Sequence, residues 1–72
     1  MKLIINGKNE FFEKDSLTIG ELLELKKVKM PEMVTVELNG TILEREKFKN
    51  TYVKDNDTIE LIYYMGGGSQ KI

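Results

Sequence analysis

The sequence predicts an α+β domain, a mixed sheet of four to five strands packed on one helix. Three observations carry that prediction. Two Asn-Gly pairs, Asn6-Gly7 and Asn39-Gly40, each stand between strand-like stretches. Asn-Gly is a strong hairpin signal, because both residues accept the positive φ of a type I′ turn. The stretch "SLTIGELLELKKV" combines helical periodicity with a start signal, and "TIELIYYM" alternates before running into three glycines. Seventy-two residues allow one domain with a small core.

The elements follow in order. "MKLIINGKNEFFE" is a hairpin turning at Asn6-Gly7, with Leu3 and Ile5 on one face and Lys2, Ile4 and Asn6 on the other. In the helix, Thr18 is the N-cap and Glu21 completes a capping box, while Leu17 can staple onto Leu22. Ile19, Leu22 and Leu23 make one apolar stripe. Lys26 and Lys27 suit the negative end of the helix dipole, and Pro31 forbids much continuation. Gly20, in the first turn, weakens the helix slightly. "MVTVELNGTIL" is the second hairpin, with Val34, Val36 and Leu38 alternating with Thr35 and Glu37. "EREKFKNTYV" is an irregular connection with a short helical turn, anchored by Phe48. After the turn at "DND", Ile59, Leu61 and Tyr63 share one face of the last strand, and Glu60, Ile62 and Tyr64 the other. The domain runs over residues 1–65, and residues 66–72 are expected to be a flexible tail.

Composition removes several classes of function. No cysteine or histidine is present, which excludes thiol nucleophiles, thiolate metal sites and the familiar catalytic triads. The acids read as caps and solvated surface, and "DND" lacks the glycine and distal glutamate of a calcium loop; neither a catalytic residue nor a metal site is expected. Eleven basic and twelve acidic side chains leave a net charge of −1. "KKVK" and "KFK" are too short and too close to acids to make a nucleic-acid footprint. No apolar run approaches the ~20 residues that span a bilayer, and "MKLIING" lacks the layout of a signal peptide. The expected location is cytoplasmic.

The glycine run Gly66, Gly67, Gly68 fits a slack linker as well as a working tail when taken alone. In context it carries more. "VTVELNG" (34–40), "ILERE" (42–46) with Arg45, "DNDTIELI" (55–62) and "YYMGGG" (63–68), in that order and spacing, resemble the thiamine-biosynthesis sulfur carrier family of ubiquitin-like (β-grasp) proteins over residues 1–68. Asn56 stands where that family's pattern has the central glycine of "DGD"; asparagine also accepts left-handed backbone.

The resemblance implies a protein co-substrate rather than an enzyme. An E1-like adenylating enzyme would activate the terminal carboxylate of Gly68 with ATP, a sulfur donor would convert it to a thiocarboxylate, and a thiazole synthase would consume it. No cofactor is expected on the carrier itself. Glycines keep the tail thin enough to thread a partner's channel. Carriers of this kind also serve molybdopterin, cysteine or methionine synthesis, and a ubiquitin-like modifier is an alternative. Ile4, Ile62 and Tyr64 are expected to face outward as a partner-docking patch. Arg45 is either a partner contact or a structural residue paired with nearby acids. One departure stands out: Ser69-Gln70-Lys71-Ile72 follow the glycines, and a glycine inside a chain has an amide where adenylation needs a carboxylate. A tail-processing protease removes the four residues, or they are a scar, or the carrier function is lost.

Overall fold

The computed structural model describes residues 1–65 and 68–72. Among them are six strands and one α-helix: β1 (Lys2–Ile5), β2 (Lys8–Phe11), α1 (Ile19–Leu25), β3 (Val34–Leu38), β4 (Thr41–Leu43), β5 (Thr58–Met65) and β6 (Gly68–Lys71). Short 3₁₀ turns occupy Pro31–Met33 and Arg45–Lys47. The strands lie in the order β2-β1-β5-β3-β4, and β6 also pairs with β5. β1 and β5 are parallel, with Ile4 opposite Thr58 and Ile5 opposite Ile59. A parallel pair cannot be closed by a hairpin, so the helix and second hairpin between them form the crossover.

Both Asn-Gly turns take the expected conformation, with φ of 51° and 81° at Asn6 and Gly7 and 51° and 85° at Asn39 and Gly40. A Cβ at either glycine would meet no atom within 4 Å; positive φ, not space, is what asks for glycine there. Asn56, at φ 71°, adopts the left-handed backbone expected of it.

The helix starts as its sequence predicts. The Glu21 amide donates to Thr18 Oγ1 at 3.1 Å, and the Thr18 amide donates to Glu21 Oε1 at 2.8 Å. Leu17 and Leu22 are both fully buried, as a hydrophobic staple requires. The far end was not foreseen. Lys27 has φ 53°, the Val28 amide donates to the Leu23 carbonyl, and the Lys27 amide donates to the Glu24 carbonyl. That is a Schellman motif built on lysine in place of glycine. Lys26 caps the helix and pairs with Glu10 of β2 at 2.6 Å.

The core lies between α1 and one face of the sheet: Leu3 and Ile5 from β1, Val34 and Val36 from β3, Ile59 and Leu61 from β5, and Ile19, Leu22 and Leu23 from the helix. Phe48 and Val53 close it from the irregular connection. That connection is tied to the helix start, with the Gly20 amide donating to the Phe48 carbonyl at 3.0 Å and the Ile19 amide to the Thr51 carbonyl at 2.9 Å.

The structure differs from expectation at the glycine end. Gly68–Lys71, expected as free tail, form β6 antiparallel to β5, with Met65 opposite Gly68, Tyr64 opposite Ser69, Tyr63 opposite Gln70 and Ile62 opposite Lys71. The cause is topological. β1 leaves β5 after Ile59, so the rest of that edge of β5 carries unpaired backbone groups, and a chain that turns back finds them.

Candidate functional site

The candidate site is the end of β5 and the chain beyond it. β5 is the central strand, held on one side by β3 over five paired residues. On the other side β1 holds its first half and β6 its second. Central position gives β5 a fixed direction, and it delivers the chain into the glycines at one end of the sheet. Gly66 and Gly67 lie outside the described residues. Gly68 is exposed, and a Cβ added there would meet nothing within 4 Å.

Two asparagines anchor β5. The Asn39 amide donates to the Thr58 carbonyl at 2.7 Å, and Asn39 Oδ1 accepts from the Thr58 amide at 2.9 Å. On the opposite edge the Asn6 amide donates to the Ile59 carbonyl, while Asn6 Oδ1 accepts from the Leu61 amide at 2.8 Å. Asn6 Nδ2 also donates to the Ile72 carbonyl at 2.6 Å. The Ile72 amide in turn donates to the Leu61 carbonyl at 3.0 Å. The Asn6 amide group is thus inserted into what would otherwise be the Leu61–Ile72 ladder pair. It joins the end of β1 to the start of the β6 pairing. The sequence marks Asn6 as a turn residue and gives no sign of this second role.

The residues expected to form an outward patch are not brought together. Ile62 is on the sheet face away from the core but is buried, at 7% exposure. Its cross-strand neighbours are Thr35 of β3 and Lys71 of β6. The Lys71 ammonium pairs closely with Glu60, two residues back on the same face, so the lysine stem runs beside Ile62. Hydrogen bonding and charge from Glu60 raise the Lys71 pKa above the ordinary lysine value. Tyr64 is exposed, opposite Ser69. Ile4 is half-buried opposite Thr58, four residues down β5 from Ile62, or roughly 13 Å along the strand. Tyr64 and Ile62 share a neighbourhood with β6; Ile4 does not.

Arg45 lies on the helix side of the molecule. Its Nη1 donates to the Pro31 carbonyl at 2.7 Å and its Nη2 to the Val34 carbonyl at 2.8 Å, and its guanidinium stacks 5.4 Å from the Phe48 ring centre. Its partners are backbone carbonyls, not the acids that the sequence offered. It clamps the entry of β3 to the connection after β4. It also borders an open groove of about 540 Å³ between α1 and the Pro31 turn, lined by Leu23, Val28 and Phe48.

Chemically the arm is bare. Among the described residues no group of three or more acids, histidines or cysteines is placed to hold a metal. Lys71 and Glu60 are the charged pair beside the arm, and they satisfy each other. The geometry can present a backbone terminus, and no such cluster among the described residues is available to act on one.

A sheet of this order, gripping one helix and sending its central strand into glycines, defines a ubiquitin-like β-grasp domain. The chain belongs to the ThiS family, whose model matches residues 3–68. It is 35% identical over 66 residues to the sulfur carrier protein ThiS of Bacillus subtilis (strain 168), covering 92% of this chain and 98% of that one. It is also 35% identical over 71 residues to a thiazole synthase of Paramagnetospirillum magneticum, covering 99% of this chain and 21% of that protein. The crystal structure of a thiamine biosynthesis protein (ThiS) from Geobacter metallireducens superposes with a TM-score of 0.88 at 52% identity, covering 94% of this chain and all of that one.

Proposed function

We propose that this protein is a sulfur carrier for thiazole formation in thiamine biosynthesis, acting through the carboxylate of Gly68 once residues 69–72 are removed. One observation carries the reading. Gly68 has room for a Cβ and no positive φ, so the fold does not ask for glycine at this position. A demand from outside the chain, a narrow channel in a partner, accounts for it. The family match ends at the same residue, and the Bacillus subtilis relative is named as a sulfur carrier.

The chemistry follows from the bare arm. An E1-like enzyme supplies ATP, the Gly68 carboxylate attacks its α-phosphorus, and pyrophosphate leaves. Sulfide from a sulfur donor then attacks the acyl carbonyl and AMP departs, leaving a thiocarboxylate. Thiazole synthase is the acceptor; the similarity to part of a thiazole synthase supports that pairing. The carrier contributes presentation, not catalysis, and a cytosolic setting suits these partners. An amide at Gly68 has no oxygen able to attack ATP, so the bond to Ser69 must first be hydrolysed by a protease.

The test uses the full chain and a chain ending at Gly68, each incubated with the adenylating enzyme, ATP and a sulfur donor. Intact mass should show oxygen replaced by sulfur on the shorter chain alone. No change on the shorter chain, under conditions that convert the Bacillus subtilis relative, would overturn the reading. Attachment to lysines of other proteins would mark a modifier instead.

A further inference from the structure

The four residues after Gly68 are more than a blocked terminus, because they are folded onto the domain. β6 pairs with β5 over four residues, and two side chains secure it from the body of the protein. Glu60 holds Lys71, and Asn6 Nδ2 holds the Ile72 carbonyl. The Ile72–Leu61 bond also fixes which pairs of this ladder are hydrogen-bonded. Antiparallel pairs alternate, so Tyr63–Gln70 is the next bonded pair, and the Tyr63 amide is directed at β6. Without β6, the Tyr63 amide and carbonyl would be unpaired on a flat edge next to Tyr64, which is exposed, and Ile62, which would lose Lys71 as its neighbour. An open edge flanked by apolar side chains accepts an extended backbone from another protein.

We propose that residues 69–72 are a built-in mask over this docking edge. Within β6 they occupy the edge of β5 from Ile62 to Tyr64 and set Lys71 beside Ile62. Their removal opens that edge to an extended segment of the adenylating enzyme. The proposal rests on the carrier reading above. It makes trimming a double event: one cut creates the carboxylate and uncovers the surface that presents it. The sequence of β6 suits a strand meant to leave. Gly-Ser-Gln-Lys has no β-branched or aromatic residue, all four residues are exposed, and strands of that composition hold weakly.

Masking is separable from the missing carboxylate by Gln70→Pro in the full chain. Proline removes the amide that bonds Tyr63 and cannot sit at an inward-bonding strand position, while residues 69–72 stay attached. Gln70→Thr keeps the amide and serves as the control. Binding to the adenylating enzyme is measured by calorimetry, and the Tyr63 amide is followed by hydrogen exchange. The full chain and Gln70→Thr should protect Tyr63; Gln70→Pro and the chain ending at Gly68 should not. Gln70→Pro should bind the enzyme at least about tenfold more tightly than the full chain, as expected if the edge is open in a tenth or less of the molecules. Equal binding by the full chain and Gln70→Pro would overturn the mask, as would a protected Tyr63 in Gln70→Pro. A chain ending at Gly68 that fails to bind would overturn the docking edge. Binding by the chain ending at Gly68 without ATP–pyrophosphate exchange would sink the carrier reading and leave the mask standing.

Discussion

Replacing Asn6 separates its turn from its side-chain bonds. Asn6→Gly keeps a residue at ease with φ 51°, and so leaves the hairpin intact, but it removes the acceptor of the Leu61 amide and the donor to the Ile72 carbonyl. The part-buried Leu61 amide is the larger loss, since an unpaired donor costs about 1–3 kcal/mol. The exposed bond to Ile72 adds about 0.5–1 kcal/mol. Relief of left-handed strain returns about 1 kcal/mol. The net expectation is a destabilisation of about 0.5–3 kcal/mol, with a mid-range value near 2 kcal/mol corresponding to roughly 8–16 °C in Tm for a chain of this size. Asn6→Asp provides the contrast: it keeps an oxygen for Leu61 but sets a carboxylate against the Ile72 carbonyl. Asn6→Asp should release β6 and speed exchange at Tyr63 while costing less global stability than Asn6→Gly. Urea and thermal melts followed by circular dichroism, with hydrogen exchange, make the comparison. A neutral Asn6→Gly, or equal global losses from the two variants, would refute the assignment of the Leu61 bond as the main contribution.

Further outcomes follow from other sites. Arg45→Ala should cost about 2–3 kcal/mol in urea unfolding, from two charge-assisted bonds to carbonyls and its packing on Phe48, and Arg45→Lys should recover part of that. Lys27→Gly should stabilise by about 1 kcal/mol by relieving the left-handed Schellman position, read as a raised Tm. Hydrogen bonds from the Thr18 backbone and side chain lower the Glu21 pKa. The capping box therefore contributes stability above the unfolded pKa of Glu21, lost as pH falls through the lower folded one; Glu21→Gln should flatten that part of an acid unfolding profile. Gly68→Ala, in a chain ending at residue 68, should leave unfolding stability within about 0.5 kcal/mol of the unsubstituted chain of that length and sharply lower ATP–pyrophosphate exchange.

What was legible in the sequence was local. The capping box spans three residues and both Asn-Gly turns are contiguous, so spacing alone specifies them. The alternation of β5 gave its core face. The roles that were missed are held by distant partners. Asn6 meets Leu61 and Ile72 across 55 and 66 residues, and nothing in an Asn-Gly pair reports what its side chain reaches. Arg45 was set beside acids in sequence but found the Pro31 and Val34 carbonyls, which only the fold brings near. Lys27 hides its left-handed backbone because lysine carries no signal for it. β6 was unreadable for a different reason. Its pairing is a backbone event at an edge left open by the short β1, and it sets Lys71 beside the buried Ile62.

The glycines divide by what demands them, and the division supports the proposed role of Gly68. Gly7 and Gly40 sit at positive φ, so the fold chose them. Gly68 sits in a strand, where glycine is a poor residue, with free space around its α-carbon. A sequence that is locally consistent almost everywhere breaks its own rule at functional positions. The break at Gly68 is of the kind that a partner's steric limit produces. It has a second consequence, because the glycine that suits a narrow channel also weakens the strand that begins with it. Under the proposed carrier function, the residue delivered to the partner is also the one that keeps β6 loose, so the steric limit of the channel would set how tightly the proposed mask can close.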